Sequence, residues 1–271
     1  MSVRKNKRNN IMKEIKLLDG KFYDTKELLS KMLDDDFYYG FMHKFAFSSS
    51  SIKLLLESPK TYHNVMTYSQ NEKQSQALRD GFLLHLLVLT PDYFHKQIFV
   101  DVQSKNTNKF RLAQEEHGEV YTIKEKEDAE RLADAVFRNE PAMQIIKGAK
   151  VEFPGVGVVQ GKPFRAKADV LRDDCIIDLK TTSNIKQFEK AANWYHYDVQ
   201  AYLYTEIFGI KNFKFIVIDK KSCDIGISTK PVSDDFISSG RDKVRYAMRV
   251  YKDYFETEET DLDSYYIDIK L

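Results

Sequence analysis

The stretch from Lys167 to Thr182 reads KADVLRDDCIIDLKTT and carries two aspartates, Asp169 and Asp178, with Lys180 two residues after the second. Two carboxylates and a lysine gathered at one strand end can hold a divalent cation beside an activated water. Hard cations prefer oxygen ligands and lower the pKa of the water they bind. Whether the acids meet depends on the strands that carry them. Ala166, Ala168 and Val170 alternate with Lys167, Asp169 and Leu171, and CIIDLKTT is rich in β-branched residues, so both segments read as strands. Arg172, Asp173 and Asp174 supply turn residues between them. A two-residue loop of Asp173 and Asp174 pairs 172 with 175, hence Asp169 with Asp178 and Lys167 with Lys180. Directly opposite residues have Cβ atoms about 4.5–5.5 Å apart. A three-residue loop would turn one acid to the other face. Like charges in opposition destabilise a hairpin unless something positive lies between them. The competing reading is a solvated hairpin whose acids face water.

Further side chains stand at intelligible places. Gln200 and Tyr204, in YDVQAYLY, lie four apart on one face of a helix that follows the hairpin, as a crossover packing over the strands would. Gln200 can orient Lys180 or hold a phosphate, and Tyr204 can touch a phosphate backbone. Thr181, beside Lys180, joins them as a candidate substrate contact. The pair equally fits a purely structural helix face. His85 sits among leucines in GFLLHLLVL, where a core histidine is the ordinary outcome. It becomes a ligand if its helix packs against the hairpin's end, and Gly81, one turn earlier, would permit close backbone approach there. Glu152, one strand before the hairpin, is a further acid with only its type to recommend it. His43, His63, His95, His117 and His196 show no ligand spacing, and no glycine-rich phosphate loop is present.

The elements that must position these groups are legible in outline. Serine caps, an apolar stretch and a proline in FSSSSIKLLLESP predict a short helix ending near Ser58. A second helix is expected over Gln74 to Leu89, a short strand at KQIFV, and a mobile loop running into a short helix over 103–118. An amphipathic helix follows in KEKEDAERLADAVFRNEP. From Lys150 the texture changes to three strands, then a helical stretch from about Ile185 to Phe208 that breaks near Trp194. Two more strands and a long closing helix complete the chain. The pattern predicts an α/β fold, a mixed central sheet flanked by helices with an N-terminal helical subregion. We expect one domain over 1–271: a disordered basic arm at 1–10, a mainly helical subregion at 45–148 carrying the His85 helix, and a catalytic core at 150–258.

Composition narrows the classes. The 271 residues include 42 basic and 41 acidic side chains, for a formal charge of +1, so a nucleic-acid site must be a local patch. Two cysteines, Cys175 and Cys223, are too few for a disulfide scaffold, and both read as small hydrophobes in strands. No apolar run reaches the roughly 18 residues that span a bilayer and no signal peptide is visible, so no membrane association and a cytoplasmic location are expected.

ADVLRDDCIIDLKTT resembles the core of the PD-(D/E)xK nuclease superfamily, with Asp178 in place of glutamate before x-Lys and Ala168 where the motif carries proline. SSSSIKLLLESPKTYH, GFLLHLLVLTPDYF, DLKTT and YDVQAYLY also occur in the order of the RecE-type, exonuclease VIII-like enzymes, over about Ser48 to Ile218. The resemblance implies that His85, Asp169 and Asp178 are metal ligands and that Lys180 is the catalytic lysine. Gln200 and Tyr204 match the Q-x-x-x-Y helix of related nucleases. With the carbonyl of Leu179, His85, Asp169 and Asp178 would hold Mg²⁺, or Mn²⁺ given the histidine nitrogen. Lys180, its pKa lowered by the metal, would then position water or accept a proton. The implied activity is hydrolysis of double-stranded DNA ends, 5′ to 3′, in a ring-like homo-oligomer paired with a single-strand annealing protein, encoded by a phage or prophage. Three rivals remain: an endonuclease on the same core, a non-catalytic DNA-binding module, and a structural or interaction protein.

Overall fold

The computed structural model describes residues 13–68, 75–257 and 261–267. The basic arm at 1–10 and Gln74 lie outside the described residues. The chain opens with a hairpin of β1 (Glu14–Lys16) and β2 (Phe22–Asp24), then α1 (Thr25–Lys31), a single π-helical turn over Phe37–Phe41, and α2 (Met42–Phe45). None of these was expected from the sequence. The helix predicted to end near Ser58 is α3 (Ser49–Glu57). Ser48 accepts from the Ser51 amide and the Ser51 hydroxyl accepts from the Ser48 amide, a reciprocal cap. Pro59 does more than stop it, because its fixed φ suits a first helical turn and α4 (Pro59–Tyr68) starts there.

The helical subregion continues with α5 (Gln76–Leu89), α6 (Pro91–Phe94), β3 (Phe99–Val100), α7 (Asn108–His117), β4 (Tyr121–Thr122), α8 (Ile123–Arg138) and α9 (Glu140–Ile146). The strand expected at KQIFV is only two residues long and pairs with β4 in parallel. Beyond lie β5 (Lys150–Val159), β6 (Lys162–Leu171) and β7 (Cys175–Thr182), then α10 (Phe188–Trp194) and α11 (Tyr197–Phe208). β8 (Asn212–Asp219), β9 (Ile225–Ile227) and α12 (Asp234–Phe255) close the fold. The helical stretch breaks just after Trp194, as expected. Cys223, predicted in a strand, sits instead in the β8–β9 turn at φ 62°, with its thiol against Arg131.

The sheet order is β5-β6-β7-β8-β9, with only β7 and β8 parallel, so α10 and α11 form the crossover between them. This is the mixed, helix-flanked sheet that the sequence predicts. Its two faces bury separate cores. Phe164, Ala166, Ala168, Phe213 and Phe215 pack toward α3, α11 and α12, while Ile177, Leu179, Ile216 and Ile218 pack toward α5, α8 and α9. The site residues stand where the hairpin comes between these two layers.

Candidate active site

The β6–β7 hairpin has the register expected of a two-residue loop: Val170 pairs with Ile177 and Leu171 with Ile176. The ladder then stops, one pair short of Asp169 and Asp178. The expected face-to-face meeting of the two acids, and of Lys167 with Lys180, does not occur. The reason lies in the alternation of β6. Ala168 and Leu171 join the core under α11, whereas Val170 joins the core under α5, so the regular period breaks at Asp169. Asp169 swings into the gap and its Oδ2 accepts the Leu179 amide at 2.7 Å. A carboxylate has replaced a ladder hydrogen bond.

The neighbouring strand carries a matching irregularity. β5 pairs Val151 with Val170 and Phe153 with Ala168, which sets Glu152 opposite Asp169. Glu152 has φ 46°, a left-handed conformation disfavoured for a residue with a Cβ. The two irregularities together point Glu152 and Asp169 toward α5. There His85 completes a group whose ligand atoms all lie within 4.8 Å of one another. Glu152, given no role beyond its residue type by the sequence, therefore belongs to the cluster. Only the pairing of β5 with β6 shows this.

His85 is not a closed-off core histidine. Its Nε2 donates to the Leu179 carbonyl at 2.9 Å, which leaves Nδ1 facing Asp169 Oδ2 at 3.7 Å. The Leu179 carbonyl, expected as a metal ligand, is thus engaged by His85, which it orients. Gly81 meets no atom near its missing Cβ, so it does not serve the close backbone approach expected of it. It lines the cleft instead.

Asp178 lies on the opposite side of β7, under α11, and is 1% exposed. Gln200 Nε2 donates to its Oδ1 at 2.6 Å, so Gln200 holds this carboxylate rather than orienting Lys180. Lys180 Nζ lies 2.5 Å from Asp178 Oδ2 as an ion pair, and that oxygen has no aligned hydrogen-bond donor. The Tyr204 hydroxyl donates to the Lys167 carbonyl at 3.0 Å and braces β6. Tyr204, Thr181 and Gln200 all border the cleft.

The electrostatics follow from this packing. Burial pushes the Asp178 carboxyl above its ordinary value, Lys180 pulls it back, and Asp169 adds to the rise. Glu152 is raised by burial and then by the charge of Asp169. Burial acts to lower Lys180, but Asp178 and Asp169 outweigh it and the ammonium is held above its usual value. The expected lowering does not arise from this chain's own groups, whose nearest charges are negative. A second lysine, Lys53 on α3, is pushed down to about 8 by burial and then by the charge of Lys180. Sequence reasoning missed Lys53, whose place depends on α3 packing against α11.

The donor set suits a hard divalent cation: two carboxylates and one imidazole nitrogen within 4.8 Å, with a further buried carboxylate oxygen of Asp178 lacking an aligned donor. Raised carboxyl pKa values in a cation-free cluster are what mutual repulsion and burial produce, and a cation would relieve both.

No curated protein matches the sequence. Among solved structures, the chain is similar to a candidate exonuclease from Eubacterium rectale at 18% identity, over 81% of this chain and 85% of that one, with a TM-score of 0.62. A second structure, SSO0001, shares 18% identity over 65% of this chain and 86% of its own, but its TM-score of 0.28 supports no argument. A family described as a PDDEXK-like domain of unknown function matches residues 48–267, a span that holds His85, Glu152, Asp169, Asp178 and Lys180 alike. The mixed sheet and the D-x-K strand at its centre thus agree with the sequence match, and the chain belongs to the PDDEXK-like family DUF3799.

Proposed function

We propose that this protein is a metal-dependent exonuclease of the RecE type. It would degrade double-stranded DNA from its ends, 5′ to 3′, and leave single strands for recombination. The observation that carries the reading is the cluster of His85, Glu152 and Asp169, which lines one cleft with Lys180, the ion-pair partner of the buried Asp178.

His85 Nδ1, Glu152 and Asp169 would hold the cation, Mg²⁺ or Mn²⁺, with Asp178 as the adjoining carboxylate. When bound, such an ion lowers the pKa of water and offsets phosphate charge. The residues of the chain do the rest. The Leu179 carbonyl fixes which ring nitrogen His85 presents. Gln200 fixes the Asp178 carboxylate, and Asp178 fixes Lys180. Lys180, held as an ammonium, donates to the scissile phosphate or orients the attacking water, which places stabilisation where negative charge develops. The RecE-type resemblance adds a ring-like homo-oligomer, an annealing partner and a phage or prophage origin to this reading.

Linear and closed circular duplex DNA, each incubated with Mg²⁺, Mn²⁺ or EDTA, tests it. Linear DNA should be degraded with either ion, the circle should stay intact, and EDTA should stop the reaction. Cutting of the circle would select the endonuclease reading. Absence of cleavage with both ions would refute the proposal.

A further inference from the structure

The cleft over the cluster has a volume of about 1270 Å³, above the roughly 300–1,000 Å³ typical of small-molecule sites. Its wall is unusual for what it leaves in water. Trp194, the single tryptophan of the chain, is 80% exposed, and its neighbour Tyr195 is 56% exposed. Both line the cleft, Trp194 as the last residue of α10 and Tyr195 from the turn before α11, where His196 at φ 53° turns the backbone. Phe82, 41% exposed, faces the same space from α5.

These rings lead somewhere. Tyr195 stacks on Tyr197 with centroids 6.0 Å apart and planes at 29°. The Tyr197 ring in turn carries Lys180 Nζ at 5.0 Å and Lys53 Nζ at 5.1 Å from its centroid. Lys190 adds a further positive charge to the lining. From Tyr195, beside Trp194 at the rim, an aromatic path therefore runs through Tyr197 to Lys180, flanked by cations. Its occupant has to be both anionic and flat-faced. An unpaired nucleotide strand meets both demands, since every base has a π-face and every linkage a charge. An intact duplex hides its base faces. A protein partner would cover the rings but has no need of lysines continuing to the carboxylates.

We infer that Trp194 and Tyr195 form a stacking platform for the unpaired bases of one DNA strand as it is led to Lys180. The inference rests on the nuclease reading above and defines the form of substrate that enters the cleft.

Because Trp194 is the only tryptophan, its emission reports on this rim alone. The full chain in EDTA would be titrated with single-stranded oligothymidylate within the roughly 4–16 nucleotides that such sites span. A blunt, G·C-ended duplex of equal length serves as comparison. The single strand should quench the emission saturably and the duplex should do so far less. Trp194→Ala should weaken binding of a labelled single strand at least about fivefold, the loss expected for one base stack. Trp194→Phe should restore most of it. The site is exposed, so both variants should melt as the parent does. Unchanged emission with saturating single strand, equal quenching by duplex, or parental affinity in Trp194→Ala would each overturn the platform. An unquenched rim would point instead to a protein partner. Cleavage of linear DNA without quenching removes only the platform, whereas quenching without cleavage removes only the nuclease reading.

Discussion

Asp178 is gripped from two sides, by Gln200 and by Lys180, and that grip separates chemistry from binding. In the proposed reaction Lys180→Ala would remove the donor to the reacting phosphate or water but no cluster ligand. Turnover should fall at least ~100-fold, about 2.7 kcal/mol of transition-state stabilisation. Affinity for duplex ends in Ca²⁺ should change by less than about tenfold, because one lysine among several basic contacts supplies only part of the phosphate attraction. A variant cleaving at the parental rate would remove the hairpin from the reaction. Lys53 gives a pH signature. Burial and the neighbouring Lys180 hold it near 8, so its charge is present below that value and lost above it. DNA affinity should fall between pH ~7 and ~9, and Lys53→Arg should flatten the fall because a guanidinium stays charged there. Asp169, Asp178 and Lys180 were legible as residue types at a given spacing, and His85 only through the family resemblance. Glu152 and Lys53 were not, since each enters the cleft through a contact between segments distant in sequence.

The Asp173–Asp174 turn made the hairpin register readable, because a turn of known length fixes pairing by arithmetic. The break at Asp169 was not readable. It stands opposite the left-handed backbone of Glu152 in the adjoining strand, and no local pattern in KADVL announces it. Helices with clear caps and apolar faces, α3 and α8, were found. α9 and the β1–β2 hairpin escaped because such short segments owe their form to packing rather than to propensity. Helix packing also offers a direct test of how α11 is held over the sheet. A Cβ added at Gly240 on α12 would lie 2.1 Å from the Asp198 carbonyl oxygen, in the first turn of α11. Gly240→Ala should therefore push the helix that carries Gln200 off its seat. The expected cost is more than about 2 kcal/mol, read by denaturant unfolding. A variant as stable as the parent would show that the two helices can separate freely.

A formal charge of +1 over 271 residues confines any DNA site to a local patch, and in the proposed function the lysines at the cleft would be that patch. The protein as a whole should register cation binding. At a hundredfold excess over the dissociation constant, Mg²⁺ or Mn²⁺ should add about 2.7 kcal/mol of stability, seen as a rise in thermal midpoint. Glu152→Gln should shrink that gain. A gain of parental size in this variant would place the cation elsewhere. Among the described residues no helix is long and apolar enough to cross a membrane.

The segment at 13–47 precedes the family-matched span yet forms part of the cleft wall, through Asp35, Tyr38 and Tyr39. Arg165 on β6 is 5% exposed and donates to the Tyr38 carbonyl at 2.8 Å, with His43 Nδ1 at 3.1 Å. Lys167 reaches Asp35 on one side and Glu152, at 3.6 Å, on the other. Release of this segment would uncover the Arg165 guanidinium, remove its Tyr38 and His43 partners, and leave Glu152 as the acid that Lys167 pairs with. If the proposed chemistry holds, a clipped protein would keep every residue of the family-matched span, Glu152 included, yet hold a cation more weakly because Lys167 would compete for that carboxylate.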